Sequence, residues 1–245
     1  VIDANYYFSK ENEKAQRYGI RRIGLGTVGL ADALIKMQIR YGSDKSLETI
    51  EEIYRFIRDV AYETSSDLGK EKGSFRKFDK KKYLQGKFIQ TLPGKIQEKI
   101  GKQGIRNALL FSQAPTGTIS LLSGVSSGIE PVYEFTYHRK DRTGEHIVGH
   151  PIYEDWQKAH PGEKMPDYFV SASELTPEEH VKVQAAVQKY VDASISKTVN
   201  APNSHTVEDV KKLYNLAYDL GCKGVTYFRD GSRAGVLSKV EEEHK

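Results

Sequence analysis

Asn107-Ala-Leu-Leu-Phe-Ser-Gln-Ala-Pro115-Thr-Gly-Thr-Ile-Ser120-Leu-Leu122 is the stretch on which the reading of this chain turns. The apolar run Ala108 to Phe111 predicts a short buried strand. It breaks at Pro115, whose ring fixes φ and removes a backbone donor. Thr116, Gly117, Thr118 and Ser120 follow at once, and Ile119, Leu121 and Leu122 restart an apolar pattern that predicts a helix. A strand, a hydroxyl-rich bend with one Gly, and a helix start together make an anion cradle. The first amides of a helix lack internal acceptors and carry the positive end of its dipole. Gly117 lets the backbone come close, the hydroxyls donate without adding charge, and a phosphate fits. The same residues also read as a Ser/Thr-rich turn that only caps a helix.

Upstream, Arg21-Arg-Ile-Gly24-Leu-Gly26-Thr-Val-Gly29 matches the dinucleotide-binding pattern G-x-G-x-x-G. No buried strand leads into it, and Glu48, Glu51 and Glu52, where an acidic strand end belongs, sit in a helical pattern. These glycines therefore read as close-packing positions at a helix start. Leu30 to Ile39 is predicted as a helix closed by Gly42, and a second helix runs from about Ser46 to Gly69 on the face Leu47, Ile50, Ile53, Tyr54, Ile57 and Ala61. Lys70 to Lys82 is strongly basic with two Phe. It reads as a solvated loop anchored by two rings, or as a patch for nucleic acid. Leu92 to Gly104 reads as loop, short helix, loop.

Downstream, Glu130 is held extended by Pro131 and either receives a substrate hydroxyl or caps a helix. Phe135 to Arg139 is predicted as a strand, and residues 140–172 as a long excursion with a short helix from Ile152 to Ala159. Thr176-Pro-Glu-Glu179 opens a helix with a capping Thr, Pro at the first position and Glu at the third. Ile195 to Asn200 is a strand. Thr206 caps a helix with Val210, Leu213, Tyr214, Ala217 and Leu220 inward and Gly221 closing it, and Val225 to Phe228 is a strand. Strand, helix, strand is the unit of a parallel sheet, so the fold class is α/β.

With 245 residues, 38% hydrophobic and 29% charged, the chain holds core enough for one large α/β domain or two small ones. A net charge of +4 suits anionic ligands but is too small to argue for nucleic acid. One Cys excludes an internal disulfide framework and makes the cytoplasm the default location. No apolar run reaches membrane-spanning length and no signal peptide is seen. His146, His150 and His160 lack metal-ligand spacing. The chain opens on Val1-Ile-Asp-Ala-Asn-Tyr-Tyr-Phe8, which resembles the end of a helix begun upstream. We expect a piece of a longer chain, a cleaved product, or one chain of a split enzyme.

Ala114-Pro-Thr-Gly-Thr-Ile-Ser120, followed by Gly124-Val-Ser-Ser-Gly-Ile-Glu-Pro131, resembles the C-terminal half of the barrel of class II, adenosylcobalamin-dependent ribonucleotide reductases. Arg21 to Gly26, Gln188 to Asp192, Ser194 to Asn200 and Gly221 to Arg233 resemble the same family in the same order. The resemblance implies the C-terminal half of a ten-stranded α/β barrel, parallel strands with flanking helices, over residues 1–240 as a single domain incomplete alone, with 241–245 a frayed tail. It implies that Ala114, Pro115, Thr116, Gly117, Thr118, Ile119 and Ser120 hold the phosphates of a ribonucleotide. It implies that Val225, Thr226 and Tyr227 line the cavity near cofactor or substrate, with packing the safer role for Tyr227. The activity implied is a ribonucleoside-diphosphate or -triphosphate reductase, a radical enzyme of deoxyribonucleotide biosynthesis. Its adenosylcobalamin is shared with an N-terminal half or subunit that carries the catalytic cysteines. No catalytic residue and no metal ligand falls on this chain; Cys222 reads as structural, and the chain alone is expected to be inactive. Neither nucleic acid nor membrane is expected as a partner. The rival reading is a non-catalytic phosphate-binding or regulatory module with the same half fold.

Overall fold

A computed structural model describes residues 1–141, 144–232 and 237–239; the tail expected at 241–245 lies outside the described residues. In chain order the elements are α1 (Lys10–Ala15), α2 (Leu30–Lys36), α3 (Asp44–Lys72), α4 (Lys80–Leu84), α5 (Gly94–Gln103), α6 (Gly117–Ser123), β1 (Thr136–Asp141), β2 (Gly144–Gly149), α7 (Pro151–Ala159), α8 (Pro177–Gln188), β3 (Thr198–Ala201), α9 (Val207–Asp219), β4 (Thr226–Arg229) and β5 (Leu237–Lys239). The chain divides into two compact units. One comprises 1–26, 51–112 and 190–194, the other 27–50, 113–189 and 195–245.

In the first unit, α3 buries Tyr54, Arg58, Tyr62, Ser65 and Ser66 along one face. It continues past Gly69, where a stop was expected. That glycine serves packing instead, because a Cβ there would meet the Ile105 backbone at 2.9 Å. The two Phe of the basic loop are anchors: Phe75 and Phe78 meet edge to face at 5.4 Å, and both touch the Tyr83 ring. Residues 1–8 form no α-helix, only a turn in which the Asn5 amide donates to Val1 O.

The strand expected at Ala108 to Phe111 does not form as a continuous ladder. Its carbonyls accept from Ile23 and Leu25, and Leu25 bridges Phe111 in parallel. The amides of Leu110 and Phe111 donate not to a neighbouring strand but to the Asp192 carboxylate, at 2.7 and 3.0 Å. Tyr62 Oη donates to the same carboxylate at 2.7 Å. One buried side chain thus occupies an edge that a strand would otherwise pair.

In the second unit, β3 and β4 pair in parallel with Thr198 opposite Thr226 and Val199 opposite Tyr227, and α9 connects them. Val181, Val199, Leu213 and Ala217 form the core between sheet and helices, with Cys222, Val225 and Tyr227 packed against it. Both expected caps are present as reciprocal pairs, Thr176 with Glu179 and Thr206 with Asp209. Gly221 closes α9 with φ +78°. Only Leu213 and Ala217 of the face expected inward on α9 are buried; Tyr214 and Leu220 stay 48% and 40% exposed, because the helix packs along a single stripe. Helix α2 ends at Lys36 rather than near Gly42, and the left-handed residue that follows is Gln38, φ 58°. The strand expected at Phe135 to Arg139 is β1; the sequence did not suggest its antiparallel partner β2, which opens the long excursion, nor β5 on the other edge of β1.

Candidate functional site: a cavity at the start of α6

The bend before α6 is built on a left-handed Thr116, φ 57° and ψ 24°. A β-branched residue rarely adopts that conformation, which is stored strain of the kind found at functional sites. The Thr116 hydroxyl turns back to donate to Pro115 O at 2.7 Å and does not cap the helix. Ser120 N closes the first helical bond to Thr116 O. Among the described residues the amides of Gly117, Thr118 and Ile119 have no acceptor. A Cβ at Gly117 would meet nothing within 4 Å, so the space beside this residue is open.

That space is a cavity of about 610 Å3. Gly117, Thr118 and Ser120 line it, while Ala114, Pro115, Thr116 and Ile119 of the expected set do not. The wall continues through Ser126, Ser127, Glu130, His150, Thr198 and Asn200. Ser120 is 1% exposed, and its Oγ pairs with Ser127 Oγ at 2.8 Å, which ties the helix to the loop that follows it. That loop turns back at Gly128, φ +52°, where a Cβ would stand 3.1 Å from Ala114 O. Across the loop's other side, Ser126 N donates to Asp32 Oδ2 at 2.7 Å, and Gly29 N donates to Ser126 O. Gly29 is left-handed and leads into α2, the close-packing role expected of the glycine cluster.

Glu130 does not cap a helix. Its Oε1 accepts the Thr198 amide at 2.7 Å and its Oε2 accepts Lys197 Nζ at 2.8 Å. Lys197 is 1% exposed. Its other protons go to His180 Nδ1 at 3.1 Å and Thr198 O at 3.2 Å, which satisfies all three. His180 Nε2 faces Ala172 O at 3.2 Å, so the ring is the Nε2–H tautomer. Burial and then the Lys197 charge push the His180 pKa down to about 3. Burial also pulls the Lys197 pKa down, against the pull of Glu130. A neutral imidazole and an ion pair therefore brace one wall of the cavity.

Thr198 and Asn200 reach the cavity from one face of β3, and the register puts Thr226 on that same face. Val225 and Tyr227 point the other way, into the helix-packed core, and Tyr227 Oη meets His205 Nδ1 at 3.2 Å. None of the three lines this cavity among the described residues: strand alternation turns Val225 and Tyr227 from it, and Thr226, though on the cavity face, is not part of its wall. Cys222 lies against the same core, and burial pushes its thiol pKa up, which disfavours a reactive thiolate. Sequence reasoning missed Asp32, His180 and Lys197. The available signal was a charge interrupting an apolar pattern: Asp32 inside Leu30 to Ile35, and Lys197 inside Ile195 to Val199.

Comparison with known proteins adds an independent line. The model of the ribonucleotide reductase barrel domain matches residues 1–228. The vitamin B12-dependent ribonucleoside-diphosphate reductase of Thermoplasma acidophilum is 35% identical, over 95% of this chain and 31% of its own length. A protein of the same description from Mycobacterium tuberculosis H37Rv is 34% identical, over 97% of this chain and 35% of its own. The ribonucleoside-diphosphate reductase subunit alpha of Helicobacter pylori J99 is 30% identical, over 95% and 31%. The chain spans about a third of the length of these relatives. With a family match over nearly its whole length, on a fold that pairs parallel strands through flanking helices, this chain belongs to the ribonucleotide reductase barrel-domain family.

Proposed function

We propose that this chain serves as the C-terminal half, residues 1–240, of the ten-stranded barrel of a cytoplasmic, adenosylcobalamin-dependent ribonucleotide reductase. Its task there is to hold the phosphates of a ribonucleoside di- or triphosphate on the Ala114–Ser120 bend. The observation that carries this is the acceptor-free amides of Gly117 and Thr118, two residues that line the cavity, with that of Ile119 next in the same turn. Each bond from such an amide to a charged oxygen contributes about 1.5–3 kcal/mol. The helix dipole adds to the attraction within the first turn. The bend is already in its strained conformation, so binding need not order it, and positioning is its contribution to the reaction.

Radical chemistry belongs in this reading to the N-terminal half that carries the catalytic cysteines. The chain's one Cys, Cys222, is packed away from the cavity-facing side of its sheet, in agreement with an isolated chain that cannot turn over. Adenosylcobalamin would supply the radical. A cavity of about 610 Å3 is of a size that takes a ligand such as a nucleotide, but a corrin with its side chains exceeds it. The described cavity therefore does not fit the cofactor, and no step here runs through it.

The experiment is nucleotide titration of the chain assembled with its N-terminal half, comparing wild type with Thr118→Val and Gly117→Ala. Thr118 is the more informative threonine, since the Thr116 hydroxyl is spent on Pro115 O. Affinity should fall about tenfold for each variant, one lost or obstructed hydrogen bond. Unchanged affinity in both would remove the bend from the binding site.

A further inference from the structure

The bend before α6 carries a left-handed, β-branched Thr116, and such a conformation persists only where the surrounding structure over-determines it. The bend's own bonds do not suffice. Among the described residues, Ala114, Pro115 and Thr116 make no backbone hydrogen bond outside the bend and α6. The downstream arm is tied by the Ser120–Ser127 hydroxyl pair. The upstream arm is tied at Gln113, the last residue before it.

Gln113 is 2% exposed and anchored twice. Its backbone bridges Ile195 in parallel, and its carbonyl accepts the Ser196 amide at 2.9 Å. Its side chain grips Thr27. Oε1 accepts the Thr27 amide at 3.2 Å and the Thr27 hydroxyl at 3.1 Å, while Nε2 donates to Thr27 O at 2.8 Å. A carboxamide sets an acceptor beside a donor, which is what the N–H and C=O of one residue require, so a single side-chain orientation satisfies both. Gly128 completes the seat, since a Cβ there would stand 3.1 Å from both Gln113 Nε2 and Ala114 O. One buried side chain thus makes three bonds to a segment 86 positions away, at the foot of the bend.

We propose that Gln113 is a positioning residue: its grip on Thr27 fixes the upstream arm of the bend, keeps Thr116 left-handed and so presets the Gly117 and Thr118 amides for an anion. This rests on the reading in which those amides hold phosphate. Without the grip the arm is free, Thr116 relaxes to an unstrained φ, and a ligand has to restore the bend at a cost in affinity.

The test uses the chain assembled with its N-terminal half, titrated by calorimetry with inorganic pyrophosphate at a temperature where the melting curve of each variant shows it folded. Gln113→Met keeps the length of the side chain and removes its donor and acceptor. It should bind about tenfold more weakly, the scale of one strained residue. Adding Thr116→Gly should restore most of that loss, because glycine takes a positive φ without strain. If Gln113→Met does not fold, Thr27→Val carries the test. It deletes one of the three bonds at a half-buried position and should weaken binding about threefold, again with recovery on adding Thr116→Gly. Unchanged affinity in the variant used, with Thr118→Val binding more weakly, overturns the positioning role and leaves the phosphate reading standing. A loss that Thr116→Gly does not relieve also overturns it, since Gln113 would then only hold the fold together. If wild type and Thr118→Val bind pyrophosphate alike, the phosphate reading itself falls, and the positioning role with it.

Discussion

Helices α8 and α6 begin on threonines and are built on opposite terms. At α8, Thr176 accepts the Glu179 amide at 3.2 Å and Glu179 returns a carboxylate to the Thr176 amide at 2.7 Å. Pro177 follows at the first position, where no donor is needed, and nine of the helix's residues are buried. At α6, Thr116 is left-handed, its hydroxyl is turned to Pro115, the first amides are open, and Ser120 alone is buried. Ile119 and Leu122 stand 62% and 90% exposed. One helix closes its own valences and supports the sheet. The other leaves them open at a cavity. The difference fits the proposed division of roles: local bonding is spent at α8, where the fold needs rigidity, and left open at α6, where we propose that a ligand binds.

The largest effect should come from breaking the braced wall behind α8. Lys197→Ala leaves the Glu130 carboxylate without its buried partner and should cost about 3–5 kcal/mol in urea unfolding. A loss under 1 kcal/mol would show that the ion pair is not a brace. The same wall sets an acid limit. The folded-state pKa of His180, about 3, lies below its unfolded value near 6.5, so between these values the unfolded chain takes up a proton that the folded one refuses. Stability should fall with decreasing pH across that window by up to about 1.4 kcal/mol per pH unit, and the slope should lessen in His180→Gln. An identical slope in the variant would assign the acid sensitivity elsewhere.

These contacts also mark how far the sequence could be read. The caps at Thr176 and Thr206 and the turn at Gly221 rest on residues a few positions apart, and each of β3 and β4 is a short local run, so local chemistry announces them. The Lys197–Glu130 pair joins residues 67 positions apart, and Tyr62 meets Asp192 across 130. No local pattern encodes such pairs. The strand expected at Ala108 to Phe111 went the same way: the Asp192 carboxylate, far along the chain, took two of its amides. Side-chain alternation decided Val225 and Tyr227, which the register turns from the cavity face while Thr226 keeps to it. β1 was expected, but its partner β2 was read as part of a polar excursion because Gly144 to Gly149 mixes charge and glycine with only two apolar residues.

Smaller effects sharpen the contrast between the two helices. Gly117→Ala adds a methyl where nothing stands within 4 Å, so it should leave the melting temperature unchanged or raised while reducing phosphate affinity about tenfold. A lowered melting temperature would mean that the bend is packed rather than open. Thr176→Ala should do the reverse, costing about 1 kcal/mol of stability with nucleotide affinity unaltered. If Thr176→Ala weakened binding, the division between a closed and an open helix start would not hold.

The most direct measurement is a structure of the assembled reductase with a bound ribonucleotide. The account predicts phosphate oxygens within about 3 Å of the Gly117, Thr118 and Ile119 amide nitrogens. A nucleotide whose phosphates lie elsewhere, with those amides covered by carbonyls of the other half, would contradict it.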